Sequence, residues 1–446
     1  MSKTVFFLFI LISIAGCKKE FPLENLERLC QYQLTEANVE LTEVIMKDLF
    51  TPPVSSRIYA YSNIAAYEAL RHTDSSFLSL AHQLNGLGSP PKPNPELEYA
   101  YPIASQVAFI RVASKMVYTN ELLEEYLERY LDPFKKQGLN RKVLENSLDF
   151  GEEIASHILA WMDNDGYKET RGKRHSVSHQ PGKWKPTPPD FMDGIEPFWS
   201  QIRPFVLDSA SQFPAPSPPV FDTIPGSEFY EQSMEVYLAG KELDEEKEAI
   251  ARFWDCNPNI TFVRGHVKYF KQQLSPGGHW VSIACIASAQ QNLSNLEHAV
   301  ALTMTSIALA DAFISCWDTK YKTDLIRPET FIERYIDPDW TPFLQTPAFP
   351  EYTSGHSVIS NAAAEALSHL FGDEFAYTDT SEVSFGLPAR DFLSFREASQ
   401  EAAISRLYGG IHYKAAITNG IAQGVHVGQL VAERIKFKKN ETVAFN

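Results

Sequence analysis

Three short segments of this chain concentrate side chains that grip oxyanions. The first runs from Lys320 to Arg327-Pro328. The second is Phe349-Pro350-Glu351-Tyr352-Thr353-Ser354-Gly355-His356-Ser357. The third runs from Ser405-Arg406 to His412. Two guanidiniums can fork a tetrahedral or trigonal oxyanion, and a lysine adds a point charge. Ser354 and Gly355 stand where a helix should open. The unpaired N–H groups and the dipole of a helix N-terminus favour an anion, and glycine lets it approach the backbone closely. Two histidines can flank the anion, one attacking or ligating its central atom while the other handles protons. Singly, each segment also reads as a helix end or a turn. Together they are an inventory for in-line chemistry at phosphorus or vanadium.

The elements that must position these residues read as helices. Ser294-Asn295-Leu296-Glu297 has capping-box spacing, so a helix should start there, run through Leu296, Val300, Met304, Ile307 and Cys316, and bring Lys320 to its end. A second helix should run from near Ser354 to Phe371 with Gly372 as its stop, a third should cover 401–408 and a fourth 415–435. Upstream, 55–71 and 106–130 read as helices. So does the stretch that places Leu144, Leu148, Gly151, Ala155, Ile158 and Met162 on one face, with Gly166 as its C-cap. Prolines crowd 181–225 too densely for helix. The expected fold is all-α, two four-helix-bundle-like halves. Residues 18–180 form the first half, 181–226 a proline-rich crossover, and 227–446 the half that carries the site.

The order Lys-x6-Arg-Pro, Pro-Ser-Gly-His, Ser-Arg-x5-His-x3-Asp resembles the three-part signature of the type 2 phosphatidic acid phosphatase and vanadium haloperoxidase superfamily. Two positions depart: Thr353 replaces the proline, and Ala416 stands where phosphatases carry the final Asp. The second departure removes the carboxylate that orients the nucleophilic histidine, which favours the haloperoxidase branch. Further likenesses to that branch are Gly182-Lys183-Trp184-Lys185-Pro186-Thr187-Pro188-Pro189, Phe253-Trp254-Asp255, and Phe349 at a position where chloroperoxidases have Phe and bromoperoxidases commonly have His. With Trp317-Asp318 before Lys320, the chain is most similar to bacterial vanadium iodoperoxidases. The resemblance spans roughly 35–433, with high specificity only in the three motifs.

It implies a vanadate cofactor with His412 as the metal ligand. Lys320, Arg327, Ser354, the Gly355 N–H, His356 and Arg406 would hold the oxygens. His356 would act as acid–base, Lys320 would polarise bound hydrogen peroxide, and Phe349 would wall the halide approach. Asp255 would steady an Arg or His from behind, with Asp318 and Trp317 as weaker pocket candidates. Hydrogen peroxide, a halide (iodide before bromide before chloride) and small organic acceptors would be the partners.

Composition narrows the field. The net charge of −16 (40 basic against 56 acidic residues) argues against a nucleic-acid partner. The N-terminal apolar run from Val5 to Ile14 is too short to span a bilayer and suits a secretory signal. It ends in Ile14-Ala15-Gly16-Cys17, which looks like a bacterial lipobox. Residues 1–17 are therefore expected to be a lipoprotein signal, with membrane contact only through a lipid on Cys17. No later stretch reads as apolar enough to cross a membrane. Cys30, Cys256, Cys285 and Cys316 match no metal motif in their spacing. His298 and His426 read as core-edge or surface residues and His175 and His179 as solvated. His266 and His279 flank helix ends, with contact to the pocket the lesser reading for each, and Tyr408 and Tyr413 read as packing residues. Two other functions stay open: an exported acid phosphatase phosphorylated on His412, and a non-enzymatic glycan-binding surface lipoprotein.

Overall fold

A computed structural model describes residues 21–445 except 23–25, 27–29, 31, 259, 265, 271 and 440–443. The segment 1–17, expected to be a lipoprotein signal, lies outside the described residues. Upstream of the crossover are α1 (Gln33–Lys47), α2 (Pro52–Leu70), α3 (Tyr101–Ser114), α4 (Glu121–Lys136), α5 (Arg141–Met162) and the single turn α6 (Tyr167–Thr170). Downstream are α7 (Glu228–Lys241), α8 (Glu245–Phe253), α9 (Pro276–Gln290), α10 (Asn295–Thr323), α11 (Pro328–Tyr335), α12 (Gly355–Phe371), α13 (Phe395–Tyr408) and α14 (Lys414–Arg434). The strands form two small antiparallel hairpins. β1 (Thr261–Arg264) pairs with β2 (Val267–Phe270), and β3 (Tyr377–Asp379) with β4 (Arg390–Phe392). The chain is mainly helical, as its periodicity implies.

One expected helix is two. The stretch 106–130 divides into α3 and α4, because the Asp48 carboxylate accepts from the amides of Tyr118 and Thr119 at 2.7 and 3.0 Å. The residue that caps the C-terminus of α1 thus takes the donors that a continuous helix would use. Gly166 adopts a left-handed conformation but opens α6, whereas α5 ends at Met162 with Asp163 as its cap.

The capping box at Ser294 forms, with Ser294 and Glu297 exchanging hydrogen bonds, and α10 runs 29 residues from it. This helix is long and apolar enough to cross a membrane by length and composition, contrary to the sequence expectation. Its apolar stretch is wholly buried, because α10 is the central core helix, packed against α2, α9, α12 and α14. Around it one continuous core draws on both halves, from Leu41 and Ile64 to Leu302, Ile359 and Val427. His298 lies inside that core, not at its edge, and His426 is exposed.

The proline-rich crossover contains a single short 3-10 turn, Trp199–Gln201, among its described residues. It is tied down at two places. The amides of Phe205, Val206 and Leu207 donate to the buried carboxylate of Asp311 on α10 at 2.7, 2.7 and 2.9 Å. Trp184 N–H donates to the Asp324 carbonyl at 2.8 Å, and Ile326 N–H to the Gly182 carbonyl at 2.9 Å.

Candidate active site

The three chemistry-bearing segments converge at the ends of α10, α12 and α13. Lys320 lies in the last turn of α10. Asp324 ends that helix in a left-handed conformation, and Arg327 caps α11 with Pro328 as its first residue. The Gly182–Trp184 backbone pins the link between Lys320 and Arg327, which gives that stretch of the crossover a positional role.

Lys320 is fully buried. Its ammonium donates to the carbonyls of Pro350, Glu351 and Thr353 at 3.0, 3.0 and 2.5 Å. All three donors thus bind the second motif, and desolvation pushes the pKa down to about 7. Arg327 donates through Nε to the Phe349 carbonyl (2.8 Å). Through Nη1 it donates to the Ile411 carbonyl (2.9 Å) and toward His412 Nε2 (3.2 Å). Its Nη2 is buried with no partner among the described residues.

The second motif opens α12. Ser354 is the N-cap, and its hydroxyl oxygen accepts from Ser357 N–H, so its own proton remains available. The N–H groups of Gly355 and His356, in the first turn, have no carbonyl of their own helix to meet. His356 Nε2 is buried and unpartnered among the described residues. Desolvation first, and then nearby Arg406, hold its pKa well below the usual imidazole range.

In the third motif, Arg406 donates from Nε to Ser405 Oγ (2.9 Å) and from Nη2 to the Ala251 carbonyl (3.2 Å). Its Nη1 lies 3.9 Å from Asp255. His412 follows α13 in the turn before α14. Its Nδ1 lies 2.8 Å from Glu351 Oε1, an oxygen that also accepts from Tyr413 N–H at 2.9 Å.

These contacts fix the His412 tautomer. Arginine always donates, so Nε2, facing Arg327 Nη1, must carry the lone pair. Nδ1 then carries the hydrogen and gives it to Glu351. Desolvation and the neighbouring Arg327 and Lys320 keep the imidazole neutral, its pKa held well below the ordinary value. Burial pushes Glu351 up to about 7 against the pull of Arg327 and Lys320.

His356, Arg406 and His412 line one cavity of ≈ 40 Å³, together with Gly355, Phe349 and Trp317. That is room for about three water-sized groups, enough for a small oxyanion. The orphaned Arg327 Nη2, the lone-pair nitrogen of His412 and a helix N-terminus fit such an anion. Phe349 packs at 5.0 Å from Trp317, with the Arg327 guanidinium and the Lys320 ammonium each 4.9 Å from its ring.

Comparison with solved structures places this geometry. A bacterial vanadium-dependent iodoperoxidase is 43% identical, with a TM-score of 0.87, covering 92% of this chain and 97% of its own. The chain belongs to the vanadium-dependent haloperoxidase family. A holo-type bacterial vanadium-dependent chloroperoxidase shares the fold at 17% identity and a TM-score of 0.64, over 87% of this chain and 93% of its own. A family model described as the VCPO second helical-bundle domain matches residues 300–440. No curated protein matches the chain significantly.

Within this chain, Lys320, Arg327, Ser354, Gly355, His356, Arg406, His412, Phe349, Trp317 and Asp255 all gather at the cavity or directly behind it. Asp318 does not. One residue along α10 from Trp317 it faces away, and its carboxylate pairs with Lys322 at 2.6 Å. Lys320 stands behind the cavity, holding the 350–353 backbone. Glu351 is the residue that sequence reasoning passed over. The lack of an Asp at Ala416 does not leave the histidine unoriented, because Glu351 supplies the carboxylate from a different motif. The preference for vanadium over phosphorus therefore cannot rest on Ala416. The available signal was that Glu351 is the one acid in an otherwise cationic and neutral segment.

Proposed function

We propose that this chain holds vanadate in the cavity and oxidises halide, iodide first, with hydrogen peroxide. The observation that carries the reading is the 43% identity to an iodoperoxidase over nearly the whole chain, joined to a His412 nitrogen fixed as a lone-pair donor. Bound there, vanadate would supply a Lewis-acidic centre that activates peroxide toward a halide. His412 Nε2 serves as the metal ligand, with its imidazole steadied by Glu351. Arg327 and Arg406, the Gly355 amide and the Ser354 hydroxyl hold oxygens and compensate charge without reorganising. His356, neutral and with an unpartnered Nε2, takes and returns the proton of incoming peroxide. Phe349 and Trp317 give the halide an apolar approach.

The test loads purified protein with orthovanadate and assays peroxide-dependent oxidation of iodide, bromide and chloride in parallel with phosphate-ester cleavage. Iodide oxidation exceeding the other two supports the reading. Vanadate-inhibited ester cleavage without halide oxidation would sink it in favour of the phosphatase. We also infer export and lipidation at Cys17 from the lipobox-like Ile14-Ala15-Gly16-Cys17. Mass spectrometry of the N-terminal peptide from a membrane fraction should find acylated Cys17 as its first residue, whereas an unmodified Met1 terminus would refute this.

A further inference from the structure

Beside the oxyanion cavity lies a second buried group of ligating side chains that the halide chemistry does not use. Cys256 follows α8, His279 sits in the first turn of α9, and Glu382 precedes the short helical turn between β3 and β4. His279 Nδ1 lies 3.2 Å from Cys256 Sγ and 3.4 Å from Glu382 Oε1. Its Nε2 lies 2.8 Å from Asp379 Oδ2. All four side chains are buried. The three donor atoms lie within 4.8 Å of one another, and they form the one such group among the described residues. Trp254 stacks on the imidazole, centroids 4.6 Å apart and planes 15° from parallel.

We propose that Cys256, His279 and Glu382 bind a zinc ion. Asp379 would accept from Nε2–H, and a metal would displace the proton that His279 otherwise holds on Nδ1 between Cys256 and Glu382, taking that nitrogen's lone pair. Three atoms able to ligate a metal thus converge on one point in a desolvated place. A carboxylate on the far nitrogen of a ligating histidine is the arrangement that fixes its tautomer and raises its basicity. The spacing agrees as well. Tetrahedral bonds of about 2.3 Å to sulfur and about 2.0 Å to nitrogen and oxygen would set the sulfur about 3.5 Å and the oxygen about 3.3 Å from the nitrogen. Thiolate with imidazole and carboxylate suits zinc and disfavours magnesium and calcium. Water would complete the shell. The ion would fasten three segments distant in sequence, and Cys256 itself lines the oxyanion cavity, so zinc would set one wall of that cavity.

The experiment expresses the full chain in zinc-supplemented medium, purifies it without chelator, and measures zinc and vanadium by mass spectrometry. About one zinc per chain is expected, falling at least about tenfold in Cys256→Ser and in His279→Gln. Should those variants fail to fold, the wild-type protein is exchanged into cobalt. A cobalt–thiolate charge-transfer band, lost on alkylation of Cys256, is the expected result. Wild-type protein that retains no zinc and shows no cobalt band, or variants that hold as much zinc as the wild type, would overturn the assignment. Vanadium content read from the same samples separates this outcome from any failure of the haloperoxidase reading.

Discussion

At the residue scale the central relation is between His412 and Glu351. A histidine can ligate only through a bare nitrogen, and here Arg327 on one side and Glu351 on the other determine which nitrogen that is. Glu351→Gln removes the charge and replaces an acceptor with an amide that can turn either way. Vanadate affinity should fall about 10–100-fold with little change in far-ultraviolet circular dichroism, and unchanged affinity would remove Glu351 from the site. Lys320 makes the site sensitive to pH. Its folded pKa of about 7 lies below its unfolded value, so burying the ammonium costs stability below about pH 7, a cost relieved above it. A bound anion favours the ammonium, so binding takes up a proton above about pH 7. Affinity should then drop by up to about tenfold per pH unit, after correction for ionisation of the free anion, and Lys320→Met should flatten that slope. The sequence displayed nearly all of these residues, because oxyanion recognition demands particular side-chain types in order. It did not display Glu351, whose role depends on a turn before α14 folding back onto the second motif. Nor did it reveal that Asp318 points away, which follows from how α10 is rotated in the core.

At the element scale the site depends on how closely α14 approaches α12. A Cβ on Gly424 would stand 2.2 Å from the Val358 carbonyl oxygen, and one on Gly428 2.5 Å from that of Ala362. The two helices therefore meet backbone to backbone, and the Ala416 carbonyl accepts from Ser354 N–H at 3.1 Å, which locates the start of α12. Gly424→Ala must push the helices apart. It should lower unfolding free energy by about 1–3 kcal/mol in urea titrations and weaken vanadate binding through the displaced Ser354–His356 turn. A neutral effect on both would show that this contact does not position the site. The helix starts were legible because capping residues act locally, as Ser294 and Ser354 do. The break between α3 and α4 was not, since its cause is Asp48, some 70 positions away in the chain.

At the scale of the whole molecule the proline-rich crossover separates the halves in sequence but not in space. α10, read from its capping box and helical period as one helix among several, is buried on nearly every side because α2 from the first half covers it as well. Asp311 is the polar fastening of that arrangement, taking three crossover amides onto α10. Asp311→Ala leaves those amides buried without partners and should cost on the order of 3 kcal/mol, read as a lower urea midpoint in a single transition. Two resolved transitions in the wild-type protein would contradict the shared core. The proline density announced the crossover, but nothing local to it announced where it docks.

The most direct measurement follows peroxide-dependent iodide oxidation while vanadate-free protein is titrated with orthovanadate, wild type beside His412→Ala. The account expects activity to rise from none, to saturate near about one vanadium per chain, and to be absent together with bound vanadium in the variant. Iodide oxidation that needs no vanadate, or that survives in full in His412→Ala, would contradict it.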